Sequence, residues 1–286
     1  MNLCDRREIE RLLSRHGFRF DKGKGQNFLI ENWVPRDIAA ACGADKSCGV
    51  LEIGPGIGPL TDELCGLAGR VVSVELDARL YPVLAETMAA HDNFILVPGD
   101  VMKLDLAALV AEHFAGLRPL LCANLPYNIT TPVLTKLAES GCFACLTVLI
   151  QKEVAQRICA RPGTAEYGAF SLLMQYYTQP ELLFEVPADC FLPAPKVTSA
   201  VIRCPVRPAP PVEVRDTALF WRTVRSGFAL RRKTLVNSLQ TGFSLPKEEL
   251  AAIVTACGLD PAIRGERLGL AEYARLADAL YAAMNP

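Results

Sequence analysis

The chain has 286 residues, of which 51% are hydrophobic and 21% charged, and its formal net charge at pH 7 is −1. This length can bury one α/β core and still supply a smaller second domain, so we expect two domains. Because no apolar run reaches about 18 residues and residues 1–10 are too polar for a signal peptide, the composition argues against a membrane or secreted protein and favours the cytoplasm.

Between residues 49 and 152, short apolar runs alternate with helical patterns. The strand-like runs lie at 50–53, 71–74, 94–97, 120–123 and 146–150, and the helical patterns at 60–67, 80–90 and 131–139. This alternation is typical of βαβ units and predicts a parallel sheet with helices on both faces. Ligands of such sheets bind beyond the carboxyl ends of the strands.

The rest of the chain predicts two further strands and then helices. The strands are expected at 182–186 and 197–203, and the proline-rich stretch 205–213 indicates a linker. Helical patterns follow at 217–230, 233–239, 247–257 and 272–283. We therefore expect an N-terminal segment over residues 1–48, an α/β domain over 49–204 and a small helical domain over 214–286.

The charges are unevenly distributed, since residues 49–152 are acidic and both ends of the chain are basic. The predicted helical domain carries a cluster with little acidic opposition, which includes Arg222, Arg225, Arg231 and Arg232. The field of such a cluster suits phosphates. The alternative is an ordinary solvated helix face.

The cysteines point to a reducing environment. Eleven of them are scattered through apolar segments, for example at Cys122 and Cys145. An odd number in such places is typical of thiols that fill a core. Cys142 and Cys145 have the spacing of zinc ligands, but the sequence offers no second pair of this kind, so we expect no metal site.

Polar residues stand at the ends of the predicted strands. They are Glu52, which precedes the glycine turn Gly54, Gly56 and Gly58, followed by Glu75, Asp100 and Asn124. Parallel strands bring their carboxyl ends to one edge, so we expect these residues around a single site. Glycines let the backbone approach a ligand, and an acid accepts hydrogen bonds from ribose hydroxyls, which indicates a nucleoside-binding site.

A dinucleotide dehydrogenase is the first rival interpretation of these strand ends. An acid does follow the glycines at nearly the expected distance. The spacing, however, is Gly-x-Gly-x-Gly, and Pro55 and Pro59 remove N–H donors that would otherwise face a pyrophosphate. A cofactor without phosphates, S-adenosylmethionine, fits better.

Residues 124–127 have the sequence Asn-Leu-Pro-Tyr. They supply a side-chain amide oxygen, a backbone carbonyl before a proline, and an aromatic face. These groups can hold an exocyclic amine and the ring that bears it. The pattern indicates chemistry on a flat, amine-bearing substrate, and a plain proline turn is the alternative.

The motifs, taken in order, resemble those of ribosomal RNA adenine dimethyltransferases. They are QNFL (26–29), LEIGPGIG (51–58), VELD (74–77), GD (99–100), NLPYN (124–128) and FLPAPKV (191–197). The stretches 228–239 and 264–280 look more like the KsgA-type small-subunit enzymes than the Erm-type large-subunit methylases. The resemblance covers nearly the whole chain.

This resemblance implies a Rossmann-like, S-adenosylmethionine-dependent methyltransferase domain followed by a helical C-terminal domain. It also implies dimethylation of two adjacent adenosines in a hairpin loop near the 3′ end of small-subunit rRNA. The expected partner is rRNA in an immature 30S particle, with no membrane, and the enzyme is expected to be a monomer.

The resemblance further assigns residues to the cofactor. Asn27 and Leu29 are expected to close over it, the loop at Gly54 to contact its methionine part, Glu75 to hold the ribose, and Asp100 to bind the adenine amino group. Carboxylates are suited to accept from hydroxyl and amine donors. For Asn27 the alternative is a turn or a helix cap.

The same resemblance assigns the target site. Asn124 and the Leu125 carbonyl, set by Pro126, are expected to accept the hydrogens of the adenine amine and to aim its lone pair at the methyl group. Tyr127 would stack on the extruded base, with Phe191 as a second aromatic wall. The alternative for Phe191 is an ordinary core aromatic.

Three lysines are expected to contact RNA. Lys22 and Lys24 lie in a glycine-flanked segment that we interpret as an arm ordering on binding, or else as a leader without that role. Lys196 is either a phosphate contact or an ordinary surface lysine.

Two other functional hypotheses stay open at this point. The first is another amine methyltransferase, acting on large-subunit rRNA, DNA or a protein glutamine. The second is a non-catalytic RNA-binding or assembly factor that retains affinity for the cofactor.

Overall fold

In the computed structural model, which describes residues 1–18 and 26–285, a seven-stranded sheet forms the centre of the α/β region. Its strands are β2 (Cys48–Ile53), β3 (Arg70–Glu75), β4 (Phe94–Pro98), β5 (Arg118–Asn124), β6 (Cys145–Gln151), β7 (Glu181–Val186) and β9 (Ser199–Pro205). Two shorter strands, β1 (Phe28–Leu29) and β8 (Phe191–Leu192), pair with each other in an antiparallel ribbon.

The order of the large sheet is β4-β3-β2-β5-β6-β9-β7. The first five strands are parallel, as the alternation of strand and helix patterns predicts. The sheet as a whole is mixed, because β9 runs antiparallel to β6 and β7 runs antiparallel to β9. Every residue of β2 is buried, which explains why central strands appear in the sequence as continuous apolar runs.

Helices cover the sheet and form the C-terminal part of the chain. They are α1 (Arg6–Arg15), α2 (Trp33–Cys42), α3 (Pro59–Leu67), α4 (Tyr81–Thr87), α5 (Leu106–His113), α6 (Thr130–Ser140), α7 (Lys152–Cys159), α8 (Ala169–Tyr177), α9 (Thr217–Ala229), α10 (Leu235–Leu239), α11 (Lys247–Ala256) and α12 (Leu270–Met284). Within the described residues, none of these helices has the length and apolar character needed to cross a membrane.

Several helices begin where a side chain caps them. The carboxylates of Asp5, Asp105 and Asp216 accept hydrogen bonds from main-chain amides in the first turns of α1, α5 and α9. Helix α5 has no counterpart in the predicted elements, because its short, nearly continuous apolar run shows no clear helical period.

The chain divides into two compact units. Unit 1 comprises Met1–Ala155 and Thr178–Val206, and unit 2 comprises Gln156–Tyr177 and Arg207–Pro286. This division differs from the predicted domain boundaries, which assign all of 49–204 to the α/β domain. Residues 156–177 belong to unit 2 because their apolar side chains pack into its core, as Tyr167, Leu172 and Tyr176 do.

Unit 2 is helical, as predicted. Its core is built around Phe220, Leu235 and Tyr273, which are 0% exposed. The buried hydroxyl of Tyr273 donates to the carbonyl oxygen of Gly265 at 3.1 Å, so this large polar side chain is satisfied inside an apolar cluster.

Candidate active site

A cavity lies at the carboxyl ends of the parallel strands of unit 1. Its wall consists of the loops that follow β2, β3, β4 and β5, together with residues 26–29. The predicted site residues that line it are Asn27, Leu29, Gly54, Gly56, Glu75, Asp100, Asn124, Leu125, Pro126 and Tyr127. The structure therefore brings together residues that lie up to 100 positions apart, with Asn27 and Tyr127 as the extremes.

The glycine turn after β2 exposes main chain to this cavity. Gly54 and Gly56 have φ angles of 68° and 62°, a left-handed conformation that favours glycine. The Gly54 amide donates to the Val74 carbonyl oxygen at 2.9 Å, which ties the turn to the neighbouring strand. A Cβ atom on Gly56 would lie 3.1 Å from the ring of Phe28, so a larger residue would crowd the segment above the turn.

Glu52 lies beneath the turn and is 1% exposed. Its Oε2 atom accepts hydrogen bonds from the hydroxyls of Thr61 and Ser73, both at 2.7 Å. Burial raises the pKa of Glu52 to about 7, with a smaller contribution from the charge of Glu75, and the two hydroxyl donors oppose this rise. Glu52 is thus a buried carboxyl at the floor of the cavity whose charge changes near neutral pH.

Glu75 ends β3 and is 6% exposed. Its Oε1 atom accepts a hydrogen bond from the Asp77 amide at 2.7 Å, which fixes the orientation of the carboxylate. Burial raises the pKa of Glu75, and main-chain amides of Asp77 and Gly56 oppose the rise. A carboxylate held in this way at a strand end can accept from two hydroxyls of a ligand.

Asp100 lies in the loop after β4. Its Oδ1 atom accepts from the Met102 amide at 2.9 Å, and its carbonyl oxygen accepts from the Lys103 amide at 2.8 Å. These bonds fold the loop back on itself, so the carboxylate lies in the cavity wall with one oxygen already oriented by main chain.

The Asn-Leu-Pro-Tyr segment forms the wall after β5. The amino group of Asn124 donates to the Asn27 carbonyl oxygen at 3.2 Å, which leaves its amide oxygen in the role of acceptor. The Leu125 amide donates to the Leu149 carbonyl oxygen at 3.1 Å, which anchors the segment to β6. The two acceptors expected to hold an amine therefore belong to residues that the sheet itself positions.

Tyr127 is half-buried in the same wall. Its hydroxyl and that of Ser199 lie 2.6 Å apart, and burial raises the pKa of Tyr127, so the phenol stays protonated at neutral pH. This contact with the first residue of β9 holds the ring from its far end.

Residues 27–29 reach the cavity through the β1–β8 ribbon. Leu29 pairs with Phe191, and the Ile30 amide donates to the Cys190 carbonyl oxygen at 2.9 Å. Together with the bond from Asn124 to Asn27, this ribbon holds residues 27–29 beside the wall formed by residues 124–127, the target wall.

Phe191 does not line the cavity as it is formed by the described residues. Its ring is 2% exposed and packs in the core cluster with Leu29 and Val34. The interpretation of Phe191 as a core aromatic describes its position, and its role as a second aromatic wall stays a prediction.

The residues expected to bind RNA are distributed over both units. Lys196 is exposed in the irregular segment between β8 and β9 of unit 1. Lys22 and Lys24 lie outside the described residues. Their roles stay predictions.

The four arginines of unit 2 that are expected to bind RNA are exposed, and Arg222 and Arg231 contact other residues of the unit. The Arg222 Nε atom donates to the Gly242 carbonyl oxygen at 2.7 Å, and its guanidinium lies 4.7 Å from the centre of the Phe243 ring. Arg231 contacts the Ala165 carbonyl oxygen and lies 4.0 Å from the Glu266 carboxylate. Arg225 and Arg232 are also exposed.

Sequence reasoning missed some polar residues around the cavity. The Gln26 amide donates to the Asp77 carboxylate at 2.9 Å, and Asp77 also pairs with Arg79 at 2.6 Å. Asp77 is part of the VELD motif, two residues after Glu75, so the motif contained a signal for it. No motif pointed to Ser199, because its contact with Tyr127 spans 72 residues.

Comparison with known proteins identifies the family. The sequence profile described as "Ribosomal RNA adenine dimethylase" matches residues 17–280. The chain belongs to this family. The family resemblance read from the motifs is confirmed, and as a ribosomal RNA adenine dimethylase the chain is a methyltransferase.

Relatives are similar in sequence to this adenine dimethylase over nearly its full length. It is 46% identical over 276 residues to the "Ribosomal RNA small subunit methyltransferase A" of Geobacillus thermodenitrificans, covering 94% of each chain. The protein of the same name from Bacillus mycoides is 45% identical over 274 residues, again covering 94% of each chain.

Solved structures support the fold. The 23S rRNA methyltransferase ErmE is 25% identical with a TM-score of 0.68, and the match covers 89% of this chain and 100% of that one. A dimethyladenosine transferase from Plasmodium falciparum has a TM-score of 0.72, covering 87% and 95% of the two chains. At 22% identity, this second match concerns the fold alone. The predicted Rossmann-like methyltransferase fold is thus confirmed.

Proposed function

We propose that this enzyme transfers methyl groups from S-adenosylmethionine to the exocyclic amines of two adjacent adenosines. The target is the 3′-terminal hairpin loop of 16S rRNA, methylated during biogenesis of the small subunit. The observation that carries the proposal is the common cavity of Asn124, Glu75 and Asp100, which combines acceptors for an amine with acceptors for a nucleoside. The names of the relatives favour the small subunit as the substrate.

The residues of the cavity fit S-adenosylmethionine. The Glu75 carboxylate lines the cavity and can accept from ribose hydroxyls, and Asp100 offers an acceptor for the adenine amino group. The open main chain at Gly54 and Gly56 suits the methionine part, while Pro55 and Pro59 deprive the turn of donors that a pyrophosphate would need. When bound, this cofactor supplies an electrophilic methyl group on a sulfonium.

The adenine amine is a poor nucleophile because its lone pair is delocalised into the ring. Hydrogen bonds from the amine to the Asn124 amide oxygen and the Leu125 carbonyl turn the nitrogen toward tetrahedral geometry and direct its lone pair at the methyl group. Orientation supplies most of the acceleration, and the proton leaves after transfer, so no strong base is needed. Tyr127, held by Ser199, stacks on the extruded base.

Charge and the family support RNA as the partner. Backbone phosphates are contacted by four exposed arginines of unit 2, by Lys196 and by the 22–24 segment. The four arginines are Arg222, Arg225, Arg231 and Arg232. We propose an immature 30S particle as the substrate, methylated in the cytoplasm by a monomeric enzyme. The shape of the folded particle then supplies specificity that phosphate contacts lack.

The test is methyl transfer from radiolabelled S-adenosylmethionine, with naked 16S rRNA, immature small subunits and large subunits offered separately. The expected result is label in the immature small subunits alone, recovered as dimethyladenosine at two adjacent positions near the 3′ end. Label in large subunits would assign a different rRNA target. Cofactor binding with no transfer to any substrate would favour a non-catalytic assembly factor.

A further inference from the structure

Lys136 holds the loop after β4, which forms one wall of the cavity, without lining the cavity itself. This residue lies on α6, and its side-chain ammonium donates to three carbonyl oxygens of the loop after β4. The acceptors are Val101 at 3.0 Å, Met102 at 2.9 Å and Leu104 at 2.7 Å. A lysine ammonium has three N–H donors, so the loop uses all of them.

One peptide group of this loop joins Lys136 to Asp100. The carbonyl of the peptide between Val101 and Met102 accepts from Lys136, and the N–H of the same peptide donates to the Asp100 Oδ1 atom at 2.9 Å. Carbonyl and N–H point in opposite directions from one rigid plane. The ammonium on one side therefore fixes the direction of the donor that orients the carboxylate on the other.

Helix α6 is also fixed at its first turn to the Asn-Leu-Pro-Tyr segment. The Thr130 hydroxyl donates to the Pro126 carbonyl oxygen at 3.1 Å, and the Ile129 amide donates to the same atom at 3.2 Å. Lys136 follows less than two turns later in the helix. The helix thus spans from the target wall to the Asp100 loop.

We infer that Lys136 is a positioning residue for the cofactor. It holds the Asp100 carboxylate in the orientation that accepts from the adenine amino group. Through α6 it also fixes the position of that carboxylate relative to the target wall. This inference rests on the proposed function, since it concerns the site assigned to S-adenosylmethionine. Without the ammonium, the three carbonyl oxygens accept hydrogen bonds from water instead. The peptide between residues 101 and 102 then loses the contact that fixes its orientation.

Lys136→Met tests the inference, because methionine keeps the length of the side chain and removes the donors. Lys103→Met is the matched control, since Lys103 is an exposed lysine of the same loop. By calorimetry with S-adenosylhomocysteine, we expect Lys136→Met to weaken binding about tenfold and Lys103→Met less than about twofold, as for a lost bond to a charged group. Lys136→Arg should restore part of the affinity.

A double-mutant cycle separates positioning from a general structural role. In an Asp100→Ala background, Lys136→Met should change the affinity by less than about twofold, because the group through which it acts is gone. An equal loss in both backgrounds, or unchanged affinity with a lower melting temperature, would overturn the inference. Failure of the wild type to bind the cofactor product would instead refute the proposed function.

Discussion

Replacing Glu52 with glutamine should stabilise the ligand-free protein above neutral pH. Glutamine keeps the size of the side chain and an oxygen that can accept from Thr61 and Ser73, but it has no charge to bury. In the native protein Glu52 is 1% exposed, so its ionised form loses nearly all contact with water. Two hydroxyl hydrogen bonds compensate only part of that loss.

The sign and size of the effect follow from the pKa. The unfolded chain ionises Glu52 near the ordinary value of 4.5, whereas burial raises the pKa in the folded protein to about 7. Between these values the folded state holds more protons, so the free energy of unfolding falls as the pH rises. The slope is at most about 1.4 kcal/mol per pH unit, and the total loss is on the order of 3 kcal/mol once the pH exceeds the folded pKa.

The measurement is urea unfolding of wild type and Glu52→Gln at about pH 5 and about pH 8.5. At each pH, the free energy of unfolding of the wild type is subtracted from that of the variant. We expect the advantage of the variant to grow by roughly 2–3 kcal/mol between these conditions. Glu139→Gln serves as the control, because it makes the same chemical change at a carboxylate that is exposed on α6. A Glu52→Gln advantage that does not change with pH would refute the assignment of Glu52 as the buried titrating group.

The proposed site and RNA surface yield three further predictions. Glu75→Ala should weaken S-adenosylmethionine binding by about 2–3 kcal/mol in calorimetry while circular dichroism stays unchanged, and wild-type affinity would remove Glu75 from the site. Asn124→Ala should bind cofactor and RNA but lower the single-turnover rate at least about 100-fold, so a near wild-type rate would contradict the orienting mechanism. Charge reversal of the unit 2 arginines should weaken binding to the small subunit and flatten its salt dependence without affecting cofactor affinity, whereas unchanged binding across a salt titration would indicate a solvated face. The reversed residues are Arg222, Arg225, Arg231 and Arg232, with Lys247→Glu as a control.

The sequence by itself determined the parallel strands and the chemistry at their ends. Buried parallel strands appear as continuous apolar runs, and the direction of such strands brings the residues after each run to one edge. Gly54, Glu75, Asp100 and Asn124 could therefore be assigned to one site before any packing was known. Local patterns of this kind are sufficient because each strand and its following turn are encoded within a few residues.

Only the tertiary structure decided the contacts between distant segments. Lys136 reaches a loop 35 residues earlier in the chain, and Tyr127 meets Ser199 across 72 residues. Packing also decided that Phe191 lies in the core and that Gln156–Tyr177 belongs to unit 2. Burial raises the pKa of Glu52, although its neighbours in the sequence are ordinary strand residues. These properties depend on which surfaces meet when the chain packs, and no local period of the sequence specifies that.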